Sequence, residues 1–267
     1  MAPQLKYHKL QDKHVLVIGG SSGIGYAIAE ASLESGAVVT ISSSRQAKLD
    51  ASVSSLQASY RGAKVTGIAA DLSKTTVDQD FDNLFKTATA RSGQIHHVVY
   101  TAADPLALGP LDETTTEGIL KAAHMRMVAP VMLGKVAPRY LERMPQSSIT
   151  ITTGSTAERP DKGWAVVTYF AAGLHGLTRA LATDLAPLRV NCVAPGYVDT
   201  SLWDGMGEEA KLGEEAKRGL LAKLGGEMPL GRVGRAEDVA EAYLWLMKDA
   251  NVTGTVASTN SGQFLKA

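Results

Sequence analysis

Seven residues near the start of the chain have the spacing of a phosphate site: Gly19-Gly20-Ser21-Ser22-Gly23-Ile24-Gly25. Glycine allows a tight turn and lets backbone N–H groups come close to a ligand, although turns also use glycine for steric reasons alone. The flanks decide between these. The apolar run His14-Val15-Leu16-Val17-Ile18 comes first and reads as a buried parallel strand. Ile24, Ala27, Ile28, Ala31 and Leu33 then recur at near-helical spacing as far as Gly36, a helix stop. Strand, turn and helix together aim free N–H groups and the positive end of a helix dipole at one point, which suits a dinucleotide pyrophosphate.

A second group, Ser42-Ser43-Ser44-Arg45, follows the next apolar run, Ala37 to Ile41. In such a βαβ unit this is where the adenosine ribose lies. A carboxylate here would bond the ribose 2′-hydroxyl and repel a 2′-phosphate, whereas hydroxyls and a guanidinium favour the phosphate. The stretch therefore predicts NADP(H) over NAD(H). The plainer alternative is a serine-rich helix cap beside a solvated arginine.

The elements that must position these residues alternate along the chain. Helices are predicted over about Gln46–Tyr60, from Asp71-Leu72 to about Arg91, over Thr116–Glu142 with a kink or break near Pro130, up to Ala186, and over Ala236–Lys248. Strands are predicted at Lys64–Ala70, Ile95–Tyr100, Ser147–Thr153, Arg189–Val193 and Thr255–Ser258. Ser201 to Leu224 reads either as a mobile lid over the substrate or as an amphipathic surface helix. The alternation predicts an α/β fold: a doubly wound parallel sheet with helices on both faces. With no repeat and no linker, residues 1–267 read as one domain.

Lys plus Arg and Asp plus Glu both number 27, so net charge points to neither nucleic acid nor an anionic membrane. No apolar stretch approaches about 18 residues, and Met1 to Lys13 lacks a signal-peptide pattern. The lone Cys192 lies in an apolar run and reads as a buried thiol in a reducing compartment, so a soluble cytoplasmic protein is expected.

The glycine spacing, three residues and then one, resembles the Thr-Gly-x-x-x-Gly-x-Gly of the short-chain dehydrogenase/reductase family. Gly19, Gly23 and Gly25 fill its glycines and Ile18 stands in place of its threonine. The resemblance runs from His14 to about Gly262 and implies a Rossmann-like sheet of about seven strands in the order 3-2-1-4-5-6-7. It implies that Asp71-Leu72 meets the adenine, with a helix-capping role for Asp71 equally open. Tyr100-Thr101-Ala102-Ala103 lies where the family has Asn-Asn-Ala-Gly. Pro195-Gly196-Tyr197-Val198-Asp199-Thr200 resembles the Pro-Gly loop on the nicotinamide side, and Ser261-Gly262 takes the place of a terminal Asp-Gly. A small-molecule substrate and a homo-oligomer, dimer or tetramer, are implied as well.

The family's chemistry departs at its centre. Its members use a Ser, a Tyr, a Lys four residues after the Tyr, and an Asn on the long helix; the Tyr protonates the developing alkoxide and the Lys lowers its pKa. Anchoring on Gly176-Leu177-Thr178-Arg179-Ala180-Leu181-Ala182 puts Val167 at the Tyr position and Ala171 at the Lys position. Tyr169 is followed four residues on by Gly173, and two helical residues are about 200° of rotation, so Tyr169 should point away. The serine falls among Thr153, Gly154 and Ser155. Arg126 replaces the asparagine; if buried it needs a carboxylate, for which Asp161 is preferred over Glu158. Trp164 beside Asp161 could stack on an aromatic substrate or simply anchor the loop. The histidines, His96-His97 included, show no metal-ligand spacing.

Loss of Tyr and Lys with retention of the phosphate turn fits hydride delivery to an iminium, which becomes a neutral amine and needs no proton. The set Arg126, Asp161 and Trp164 resembles fungal members of the family from bicyclic prenylated indole alkaloid pathways of the malbrancheamide and paraherquamide type. That likeness implies iminium reduction and a guided intramolecular Diels–Alder cyclisation. The alternatives are carbonyl reduction with Ser155, Tyr169 or water as proton source, and a non-catalytic NADP-binding protein.

Overall fold

The computed structural model describes residues 6–205 and 213–265. Seven strands, β1 (His14–Ile18), β2 (Val38–Ser43), β3 (Val65–Ala69), β4 (Ile95–Tyr100), β5 (Ser148–Thr152), β6 (Arg189–Pro195) and β7 (Val256–Thr259), form one parallel sheet in the order β3-β2-β1-β4-β5-β6-β7. The central strands are almost wholly buried because helices cover both faces; all five residues of β1 are buried. On one face Phe81, Phe85, Leu133 and Leu174 pack from α3 (Val77–Ser92), α5 (Ala129–Val136) and α6 (Ala165–Asp184). On the other, Ile28, Leu49 and Tyr243 pack from α1 (Gly23–Glu34), α2 (Gln46–Ser59) and α8 (Ala236–Lys248).

Strand order reverses between β1 and β4, and register brings their ends level: Ile18 pairs with Ser42 on one side and with Tyr100 on the other. Such a switch point opens a crevice at the carboxyl ends of the strands. Two threonines fasten its rim. Thr101, where the resemblance expects an asparagine, donates from N and from Oγ1 to the Ile18 carbonyl, at 2.8 and 3.1 Å. Thr152 Oγ1 donates to the Tyr100 carbonyl at 2.8 Å.

The helix expected over Thr116–Glu142 is not continuous. It divides into α4 (Thr116–Ala123), a π-helical turn (His124–Val128) and α5, and ends in a short 3₁₀ turn at Ala137–Arg139. Pro130 is the cause: it has no N–H for the carbonyl four residues back, Arg126, and its ring crowds that carbonyl. The break precedes the proline by one turn and contains Arg126.

Of the stretch read as a lid, Ser201–Gly205 forms a 3₁₀ turn and Glu214–Gly226 forms α7. Residues 206–212 lie outside the described residues. Lys217 of α7 ion-pairs with Asp199 at 3.4 Å and Asp204 at 3.0 Å, fastening α7 to the loop after β6. Among the described residues no helix is long and apolar enough to cross a membrane.

Candidate active site

One cavity of about 600 Å³ lies at the carboxyl ends of β1, β2, β4, β5 and β6. Its phosphate end is the turn after β1, contributed by Gly19 to Gly25. At Gly19, φ is +92°, and a Cβ there would lie 2.6 Å from the Ala102 nitrogen. At Gly23, φ is +54° and a Cβ would lie 3.2 Å from Thr200, the last residue of the Pro-Gly loop. Both conformation and space therefore demand glycine; Gly19 N and Gly20 N donate to the Ser42 carbonyl at 2.9 and 3.1 Å, which leaves the N–H groups at the start of α1 as those that suit a phosphate.

The adenosine end is lined by Ser43, Ser44 and Arg45, and the run from Ser42 to Lys48 contributes no carboxylate. Ser21 Oγ donates to Ser43 Oγ at 2.9 Å, which joins the two turns. Lys48, one turn into α2, also lines the cavity and had no signal in the sequence beyond that of a solvated helix lysine. Burial first, and then the like charge of Arg45, lower its ammonium's proton affinity; Asp204 acts in the opposite direction. Two cations, in a run from Ser42 to Lys48 without a carboxylate, suit a 2′-phosphate. Asp71 and Leu72 line the wall. Asp71 accepts from Ser73 N at 3.1 Å and Ser73 Oγ at 2.6 Å, so it closes its own turn and does not cap α3, whose N-cap is Thr76.

At the opposite end lie Thr101, Ala102, Ser155, Asp161, Trp164 and Arg126, with Pro195, Gly196, Tyr197, Val198 and Thr200 across the cleft. Arg126, Ser155, Asp161 and Trp164 all border this cavity, whereas Glu158 and Tyr169 do not. Their pairing differs from expectation. Arg126 does not ion-pair with Asp161: its Nη2 donates to the backbone carbonyl of Asp104. Burial lowers the proton affinity of the guanidinium, and the Asp104 carboxylate offsets part of that. Asp161 instead accepts from the Tyr197 hydroxyl. The reason is local. The π turn carries Arg126 to the loop after β4, whereas Asp161 lies in the loop before α6 and meets the Pro-Gly loop. The first two loops are held together by Gly109 N, which donates to the Gly163 carbonyl at 3.0 Å.

Ser155 is buried and its Oγ donates to Gln263 Oε1 at 2.7 Å, a partner 108 residues away in the C-terminal turn. Thr153 Oγ1 is spent on the Ala171 carbonyl at 2.8 Å. Gln263 had no sequence signal, since nothing periodic brings that tail to the site.

The chain matches the model of the SDR-like Rossmann domain over residues 6–266. It belongs to the short-chain dehydrogenase/reductase family. Within that family it is 42% identical over 272 residues, covering 100% of both chains, to the short-chain dehydrogenase/reductase malC of Malbranchea aurantiaca. It is 40% identical to fsr5 of Gibberella fujikuroi, covering 99% of this chain and 100% of that one. The solved structure of the MalC reductase/Diels-Alderase superposes with a TM-score of 0.88 at 40% identity, over 97% of this chain and 99% of that one. A short-chain dehydrogenase of Burkholderia cenocepacia solved in complex with NADP superposes with a TM-score of 0.80 at 28% identity, over 95% of this chain and 98% of that one. The chain is an oxidoreductase, which removes the non-catalytic reading.

On α6, Val167 and Ala171 line the cavity. Both are buried. Tyr169 is 63% exposed on the outer face of the same helix.

Proposed function

We propose that the chain is an NADP(H)-dependent reductase of fungal secondary-metabolite type, acting on a substrate that needs no proton from the enzyme. The observation that carries this reading is α6: two apolar side chains, Val167 and Ala171, face the cavity where the family places its acid and its lysine. A carbonyl accepting hydride becomes an oxyanion that must be protonated; an iminium carbon becomes a neutral amine. The second needs nothing that α6 lacks.

The glycine turn, Ser43, Ser44, Arg45 and Lys48 would hold NADPH, which would supply the hydride. Of the chain's own groups, Asp161 offers a carboxylate that stabilises a cationic substrate nitrogen before hydride arrives. Trp164 offers an aromatic face for the rest of the substrate, its ring edge-on to Tyr197 with centroids 6.4 Å apart. Arg126 holds the loop after β4 in place at this end. Carbonyl reduction is the second reading, favoured by Ser155 alone, whose hydroxyl could donate once released from Gln263. An intramolecular Diels–Alder cyclisation of the reduced product, in the same cavity, is part of the proposal because the malC relative is a reductase/Diels-Alderase.

The test is consumption of NADPH with a panel of ketones and cyclic iminium salts. Turnover confined to the iminiums supports the reading, and turnover confined to the ketones rejects it.

A further inference from the structure

Tyr197 is the hydroxyl donor that meets Asp161, and both ends of that bond are built into the fold. The phenol ring is wedged between two tryptophans, edge-on to Trp164 at 6.4 Å and tilted against Trp203 at 5.7 Å. Trp203 is itself buried and fixed, its Nε1 donating to the Val198 carbonyl at 2.7 Å. The ring therefore has little freedom, and its O–H is aimed from the Pro-Gly loop across the cleft at Asp161 Oδ2. Asp161 Oδ1 accepts no hydrogen bond from the described residues, and the carboxylate borders the cavity. Burial first, then the bond to Asp161, push the phenol's pKa far up, so Tyr197 stays protonated and stays a donor. The other charges that act on it are Glu227 and Arg159. Lys217 is committed to Asp199 and Asp204.

We propose that Tyr197 is a positioning residue that fixes the Asp161 carboxylate, with Oδ1 free, as the counter-charge for a cationic substrate nitrogen. This rests on the reductase reading above and deepens it: the substrate class is a cation whose charge sits beside an aromatic ring system. A carboxylate on an exposed loop otherwise samples several rotamers, and ordering it only on binding lowers affinity. A donor locked by two indoles removes that cost in advance. The bond also spans the cleft, tying the loop before α6 to the loop after β6, so one contact sets both the charge and the width of the mouth.

The experiment is a double-mutant cycle of Tyr197→Phe and Asp161→Asn, read by calorimetric binding to the NADP⁺-loaded enzyme. The probes are an N-methylated dihydroisoquinolinium salt, which is permanently cationic, and α-tetralone, a neutral ketone of similar shape. Phenylalanine keeps the ring between Trp164 and Trp203, so folding is preserved and only the hydroxyl is lost. The wild type should prefer the cation; Tyr197→Phe should cut that preference about tenfold, as expected for a charge-assisted hydrogen bond, without changing α-tetralone binding. Asp161→Asn should abolish the preference, and the double variant should be no worse than Asp161→Asn, because the two groups act as one. In turnover, Tyr197→Phe should raise KM for the iminium and leave KM for NADPH unchanged. Additive losses, or full cation preference in Tyr197→Phe, overturn the positioning role even if iminium is reduced. Coupled losses with no reduction of the iminium sustain it and instead reject the reductase reading. A wild type with no cation preference overturns both.

Discussion

Val167 and Tyr169 stand two residues apart on α6 and face opposite ways: Val167 borders the cavity at 4% exposure, while Tyr169 is 63% exposed outside it. Tyr169 therefore stands outside the cavity that Val167 borders. Tyr169→Phe should leave kcat and KM within experimental scatter on whatever substrate is active. A loss on the scale of general acid catalysis, about a hundredfold or more, would mean that Tyr169 supplies the proton.

The adenosine end carries Arg45 and Lys48 without a carboxylate, which predicts a preference for NADP(H). A charge-assisted contact to a 2′-phosphate is worth roughly 1.5–3 kcal/mol, about ten- to a hundredfold in affinity. Titration calorimetry should show Arg45→Asp reversing the preference. Lys48→Ala should weaken NADP⁺ and leave NAD⁺ unchanged. Equal affinities of the wild type for both cofactors would refute the assignment.

Arg126 holds the Asp104 carbonyl from the π turn. Arg126→Ala removes a charge-assisted bond worth roughly 1.5–3 kcal/mol and frees the loop after β4. Thermal unfolding should fall by several degrees, since about 1 kcal/mol moves a domain of this size by roughly 2–4 °C. Activity should fall with it, while NADP⁺ affinity, set by other segments, should hold. Asp161→Asn should not reproduce the loss of stability, because Asp161 is not the partner of Arg126.

The fold was open to sequence reading because its signals are local and repeated. The glycine turn and the apolar runs marked the elements, the family resemblance implied their order, and the anchor at Gly176 to Ala182 set the helix register that carried Val167 and Ala171 to the cavity wall. Contacts between loops left no such trace. Asp161 was matched to Arg126 on charge alone, whereas the chain gives it Tyr197, a neutral donor from a loop 36 residues away. Pro130 signalled a break in the long helix, but not that a π turn would carry Arg126 toward Asp104. Gln263 and Lys48 reach the site from a tail and from a polar helix face, where one residue looks like another.

Two histidines at the amino ends of central strands predict acid sensitivity. His97 is buried, with Nδ1 2.9 Å from Ser148 Oγ, and burial pulls its pKa down to about 3 from an ordinary 6.5. His14 is shifted the same way, again chiefly by burial. A group whose folded pKa is depressed stabilises fully above its unfolded pKa, and that stability is lost as pH falls. Resistance to urea should therefore fall between about pH 6.5 and 3 by up to about 1.4 kcal/mol per pH unit through His97, with His14 adding in the same direction. His97→Asn should flatten this slope. An unchanged slope would mean that His97 does not titrate with unfolding.

An enzyme that delivers hydride to a cation and supplies no proton should discriminate sharply between an iminium and a ketone. The most direct test is kcat/KM for NADPH-dependent reduction of an N-methylated dihydroisoquinolinium salt against that for α-tetralone, with the wild type and Asp161→Asn side by side. The wild type should favour the iminium by about a hundredfold or more, the scale of an absent general acid, and Asp161→Asn should lose most of its rate on the iminium. Equal or better reduction of the ketone, or an Asp161→Asn enzyme that reduces the iminium at the wild-type rate, would contradict hydride delivery to a cation.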